Sequence, residues 1–355
     1  MISIEEAKTS LDKIISKARV DMYKPIQVAE VLYQARVVQP ELDLLNIETF
    51  RRKSIQWRDA VTRRLYGKVS ISSQKYQDNI WDKNAIPPII LAVLDKANKQ
   101  TNGAVEKYIY LKFQEKQKTV ASLITFIADS TPNDFELAKL FSNFRIIAGL
   151  RRSIDKAYEI VVYSILETII TSLEATVTVA VPIAKNELLA EFSDLAGVLL
   201  GPSMTKNQVS LPAHVYRVGV TNAADRGLDM WANFGVVIQV KHLTLDPKLA
   251  QAITDQVESD NIIIVCRDAE KKTIETLMSQ TGWIRRVRGI ITEKELIQWY
   301  ELCLRGKFAS ELGFILLERL EKEFRKEFRS AGDVVLTFLE ERGYLQINSP
   351  DLWKE

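Results

Sequence analysis

The stretch RGLDMWANFGVVIQVKHLT, residues 226–244, decides how this chain is read. Two runs suited to strands flank Asn233-Phe234-Gly235, and the spacing predicts a hairpin. Side chains alternate along a strand. Val236, Ile238 and Val240 therefore share one face and suit a core, while Gln239 and Lys241 share the other. The turn brings the preceding strand back alongside and sets Asp229 next to them. Three polar groups then converge at one end of a small sheet.

That set of side chains suits hydrolysis of a phosphodiester. The ester is anionic and resists attack, so a hard cation is needed to neutralise developing charge and to lower the pKa of a water. Magnesium takes oxygen ligands, few of them from protein. Asp229 is an oxygen ligand, a backbone carbonyl beside Lys241 offers another oxygen, and Lys241 can hold water and phosphate together. The same three residue types also occur on hairpins that are purely structural, which leaves a helical interaction scaffold as an alternative.

Outward from the hairpin, the pattern keeps to alternating elements. Upstream, Ile154, Tyr158, Val161, Ile165 and Ile169 recur at helical spacing over 150–175, with Glu159, Glu167 and Glu174 on another stripe. ATVTVAVPI fits either a strand or the tail of that helix, and HVYRVGVT (214–221) alternates as a strand. Downstream, DPKLAQAITDQVES opens with Asp246-Pro247 and reads as a helix. NIIIVCRD (261–268) is a continuous apolar run, the mark of a buried strand. A helix at 269–281, a strand near 288–292 and helices at 293–305 and 309–329 follow. The last carries spaced pairs such as Glu321–Arg325 and reads as a solvated face.

The first half reads as helix after helix. Ser3 and Glu6 form a capping box, Pro25 sits near a helix start, and Gly67 ends the helix NIETFRRKSIQWRDAVTRRLYG. The polar segment 68–88, closed by Pro87-Pro88, reads as a long loop. The order predicts an α/β (α+β mixed) fold: a mixed central sheet flanked by helices over 149–355, and a mainly helical N-terminal domain over 1–148.

The 355 residues are 46% hydrophobic and 26% charged, ordinary proportions for a globular protein of about two domains. The net charge of +2 hides basic patches, one at 46–70 and one at Arg285, Arg286 and Arg288. Such patches hold a polyanion in one groove without binding every polyanion met. Cys266 and Cys303 stand alone in apolar runs and form neither a disulfide framework nor a zinc site. No stretch is long and apolar enough to span a bilayer, so the expected location is the cytoplasm. No GxxxxGK loop is present, which argues against ATP-driven translocation.

Asp229 followed by Gln239-Val240-Lys241 resembles the signature of the PD-(D/E)XK nuclease superfamily. The longer strings YKPIQVAEVLY, KYQDNIWDKNAIPP and VYRVGVTNAADRGLDMWANFG…IQVKHL are similar to the HaeII family of type II restriction endonucleases, over most of the chain. The resemblance implies a magnesium-dependent homodimer that cuts both strands of double-stranded DNA at a short symmetric site, RGCGCY, beside a cognate methyltransferase in the same restriction-modification system. It implies a PD-(D/E)XK core, with the helical half supplying DNA clamping and dimer contacts. Carried over, Asp229 is the metal-binding acid and Lys241 the catalytic lysine. Gln239 stands where the signature has an acid, so the site loses one negative charge, and a non-catalytic DNA-binding module with a degenerated site is the alternative. The helix before the sheet often supplies a further acid, for which Glu167 is chosen, with Glu159 and Glu174 as rivals. Asp225 is a rival for Asp229. Asn222, Arg226, Arg217, Lys75 and Gln77 are the candidate DNA contacts, arginine to guanine and asparagine to adenine being the common base readings.

Overall fold

In the computed structural model, residues 2–70, 72–83, 85–147, 150–203, 205–218, 228–241, 261–281, 286–328 and 332–354 are described. α1 (Ile4–Lys17) opens on the expected capping box, with Ser3 and Glu6 each satisfying the other's backbone amide. α2 (Tyr23–Tyr33) holds Pro25 in its first turn and runs into a π-helical segment, Gln34–Val38. α3 (Arg51–Tyr66) ends on Gly67, whose φ of 71° is the left-handed value a helix stop requires. The segment expected to be a long loop instead holds α4 (Gln74–Asp78) and a 3-10 turn, Asn79–Trp81. Ile80, Trp81 and Ile86 are buried, and these apolar anchors pull the polar residues between them into a compact turn. α5 (Pro88–Gln100), α6 (Ala104–Asp129), α7 (Leu137–Ile146) and α8 (Ile154–Ser172) complete the helical half.

The period then changes. β1 (Thr176–Ala180) pairs antiparallel with β2 (Gln208–Pro212), and α9 (Asn186–Glu191) and α10 (Ser193–Leu199) lie between them. ATVTVAVPI is thus a strand and not a helix tail. A five-stranded sheet follows in the order β3 (Val215–Arg217), β4 (Met230–Ala232), β5 (Val237–Lys241), β6 (Ile262–Cys266) and β7 (Val287–Thr292). The first three are antiparallel; β5, β6 and β7 are parallel. The helix expected in DPKLAQAITDQVES lies outside the described residues. α11 (Lys271–Thr281), α12 (Glu293–Arg305), α13 (Ala309–Glu327) and α14 (Gly332–Glu341) close the chain. α14 has no counterpart in the sequence reading.

β5 and β6 are buried on both sides, while Tyr216 and Trp231 on the outer face of β3 and β4 are exposed. Val236, Ile238 and Val265 enter one core with α7, α8, α12 and α13. Val237, Ile262, Ile264 and Cys266 enter a small core with Ile274 of α11. Burial on both faces is why β6 is a continuous apolar run. A second large core lies among the N-terminal helices, and the chain returns to it: Val335, Phe338, Leu339, Tyr344 and Trp353 pack with residues 7–113. The cores do not divide at residue 148. α6 serves both, with Ile109 and Phe113 in one and Val120, Ile124 and Ile127 in the other.

Candidate active site

The β4–β5 hairpin is built by its turn. Gly235 has φ of 84°, a conformation a side chain resists, and Ala232 N–H donates to Val236 O at 2.7 Å. Asn233 ties the turn down: its Oδ1 accepts from His214 N–H at 2.9 Å, and its Nδ2 donates to Pro212 O at 2.8 Å. Met230 then pairs with Ile238, and one further step of that register sets Asp229 against Gln239. At that step a side chain takes over from the backbone ladder, and Asp229 Oδ2 accepts from Val240 N–H at 2.7 Å. Gln239 is completely buried. Lys241 lies two positions further along β5, opposite Cys266 of β6.

On α8, the charge of Asp229 reaches Glu159. Its side chain is 7% exposed and accepts from Lys156 Nζ at 2.6 and 2.8 Å. Burial pushes its carboxyl above the usual range, and the charge of Asp229 pushes the same way, against Lys156 and Arg217. Like charges in a dry place raise each other's proton affinity.

Glu167 stands elsewhere. One oxygen accepts from Val215 N–H at 2.8 Å, and the other meets His214 Nδ1 at 2.8 Å. It is eight residues from Glu159, about 12 Å along the helix axis. It braces the start of β3, while the charge of Asp229 reaches Glu159. Glu174 is exposed beyond the end of α8.

Two expected DNA contacts are turned inward. Arg217 is 7% exposed, held by Glu323 at 3.1 Å and Glu327 at 2.9 Å. The apolar core beneath β3 leaves its guanidinium to pair with α13, so the structure gives it a bracing role. α13 is accordingly more than a solvated face, although Glu321 and Arg325 do pair on its outside at 2.6 Å. Gln77 is buried, accepting from Arg58 Nη2 at 2.7 Å. Arg58 is itself buried and also donates to Gln27, so part of the basic segment is internal scaffold, while Arg52, Lys53 and Arg63 are exposed. Lys75 lies on α4, and its side chain is outside the described set. Asn222, Asp225 and Arg226 lie outside the described residues.

The candidate ligands are oxygen donors, which fit a hard divalent cation such as magnesium. Among the described residues no group of three or more His, Cys, Asp or Glu is placed to hold a metal. Among the described residues no helix is long and apolar enough to cross a membrane.

Comparison with known proteins adds to this geometry. A sequence model for the HaeII restriction endonuclease matches residues 7–344. The type II restriction enzyme HaeII of Haemophilus aegyptius is 46% identical over 345 residues, 97% of this chain and 98% of that protein. The type II restriction enzyme NgoBI of Neisseria gonorrhoeae is 44% identical over 343 residues, 96% of this chain and 97% of that protein. No solved structure matches.

Proposed function

Because this chain belongs to the HaeII restriction endonuclease family, we propose that it is a type II site-specific deoxyribonuclease whose active site holds Asp229, Gln239, Lys241 and Glu159. Its substrate is double-stranded DNA, cut with magnesium at a short two-fold symmetric site, RGCGCY, as the nuclease of a restriction-modification system. The observation that supports the reading most is the placement of Asp229: bonded to the Val240 amide, set against Gln239 and within the electrostatic reach of Glu159.

Asp229, Glu159 and the Gln239 amide oxygen are the residues that would hold magnesium. Bound there, the ion supplies charge neutralisation at the phosphate and a water of lowered pKa. The Val240 amide fixes the Asp229 carboxylate before substrate arrives, which removes reorganisation from the reaction step. Glu159 acts as the carboxylate, the form that Lys156 on the same helix favours. Lys241 supplies a positive charge for the attacking water and the scissile phosphate. Gln239 lacks the charge of an acid, so metal affinity depends on the two carboxylates.

The test is a digest. Purified protein is incubated with a long natural DNA, once with magnesium and once with chelator, and the ends are mapped. Discrete fragments that need magnesium support the proposal, and Asp229→Ala removes them while DNA binding persists. A smear sinks the site-specific reading. Shifted but uncut DNA, in magnesium and in manganese, sinks the catalytic one and favours a binding module.

A further inference from the structure

Residues 176–212 carry apolar surface that neither large core takes up. α10 has no buried residue, and α9 has one, Leu189. Yet Ile183, Leu188, Phe192, Leu195, Val198 and Leu199 are each more than half exposed, Val198 at 90%. Scattered exposed leucines are ordinary, but six large apolar side chains this close in sequence are a patch. A single short helix does not hold its shape in water through its own hydrogen bonds. It needs its apolar side covered.

We infer that α9 and α10 dock against the same two helices of a second copy of this chain. Charge argues against nucleic acid as the occupant. Between residues 183 and 200, Lys185 stands against Glu187, Glu191 and Asp194, an acidic balance that repels phosphate. Area argues for a copy of the chain: the six side chains present on the order of 800 Å², which is what each partner brings to a standard interface. A two-fold axis uses one patch twice and needs no second complementary surface. The inference deepens the proposed function, in which one symmetric duplex meets two active sites. The segment joins α8, which carries Glu159, to β3, which is braced by Glu167. Docking here would couple the spacing of two sites through short connections.

The test needs neither DNA nor metal. The full-length protein, sedimented at micromolar concentration, is expected at twice the chain mass. Val198→Asp combined with Leu199→Asp is expected to weaken association by about a hundredfold or more and give the single-chain mass. Both side chains are exposed, so the far-ultraviolet dichroism of the variant should match the parent. In the unmodified chain, hydrogen exchange over 186–200 should slow as concentration rises through the association range. A single-chain mass for the parent at tens of micromolar overturns the inference. So does a double mass that survives both substitutions, or exchange that ignores concentration. A pair that the substitutions split, made of chains that cut no DNA, keeps this inference and removes the nuclease reading. A working nuclease whose mass ignores the substitutions does the reverse.

Discussion

The two halves of α8 carry the same side chain into opposite circumstances. Glu167 has its oxygens taken up by a backbone amide and a histidine at the start of β3. Glu159 meets a lysine on its own helix and the charge of a second acid. The first arrangement spends the carboxylate on holding a strand. The second leaves a buried carboxylate within reach of another acid's charge, which costs stability. On α8 the acid that takes a backbone amide is a brace, and the one that feels Asp229 is the candidate ligand. The N-terminal core holds a third kind, an acid taken up by side-chain donors alone. There Glu106 receives Arg36 Nε and Nη2 at 2.9 and 2.8 Å, Asn98 and the Tyr344 hydroxyl.

The widest separation between the two ends is expected in cleavage rate. Glu159→Gln should lower magnesium-dependent cleavage by roughly 10²-fold or more, measured by single-turnover digestion. Glu167→Gln should leave the rate within a few-fold. A reversed result breaks the comparison and returns the metal to the Glu167 end. Gln239→Glu sharpens it from the sheet side. Adding the acid should lower the magnesium concentration needed for half-maximal cleavage by about tenfold, since one more carboxylate joins the ligands.

Stability should separate the ends in the other direction. Glu167→Ala should cost about 2 kcal/mol in denaturant unfolding, because the buried Val215 amide loses its acceptor. Glu159→Gln should raise the melting temperature at neutral pH by a few degrees. The sign follows from the raised carboxyl. A group whose folded pKa lies above its unfolded value favours the fold while protonated. That contribution is present below the unfolded pKa, 4.5 for a glutamate, and is lost as pH rises through the folded value. Cleavage moves oppositely, since the ionised form is the one that ligates. Its acid limb should sit above pH 4.5 and flatten in the Gln variant, as read from a pH–rate profile. The smallest effect belongs to His214→Ala, less than about 1 kcal/mol, because that ring is 37% exposed.

Much of the fold was legible in the sequence. The capping box at Ser3, the stop at Gly67, the hairpin about Gly235 and the apolar run of β6 each rest on a local rule, and local rules survive folding. Of the candidate site, the hairpin that sets Asp229 against Gln239 was legible. The choice on α8 was not, because 159, 167 and 174 follow similar spacing on one helix. Only the position of β3 along that helix tells which acid meets an amide and which meets Asp229. Arg217 misled for a related reason: an arginine on a short strand reads as exposed until an acidic helix is laid over it. α14 was passed over although Val335, Phe338 and Leu339 keep helical spacing, since its partners lie more than 200 residues upstream and no local signal points to them.

That return of the chain also bears on biosynthesis. Phe113 is in place long before Phe338, Tyr344 and Trp353, which share its core. At roughly 5–20 residues per second, helices α1 to α6 wait on the order of ten seconds or more for them. Over that interval the nascent chain exposes apolar surface that its own later residues will cover, so the helices made first are among those completed late.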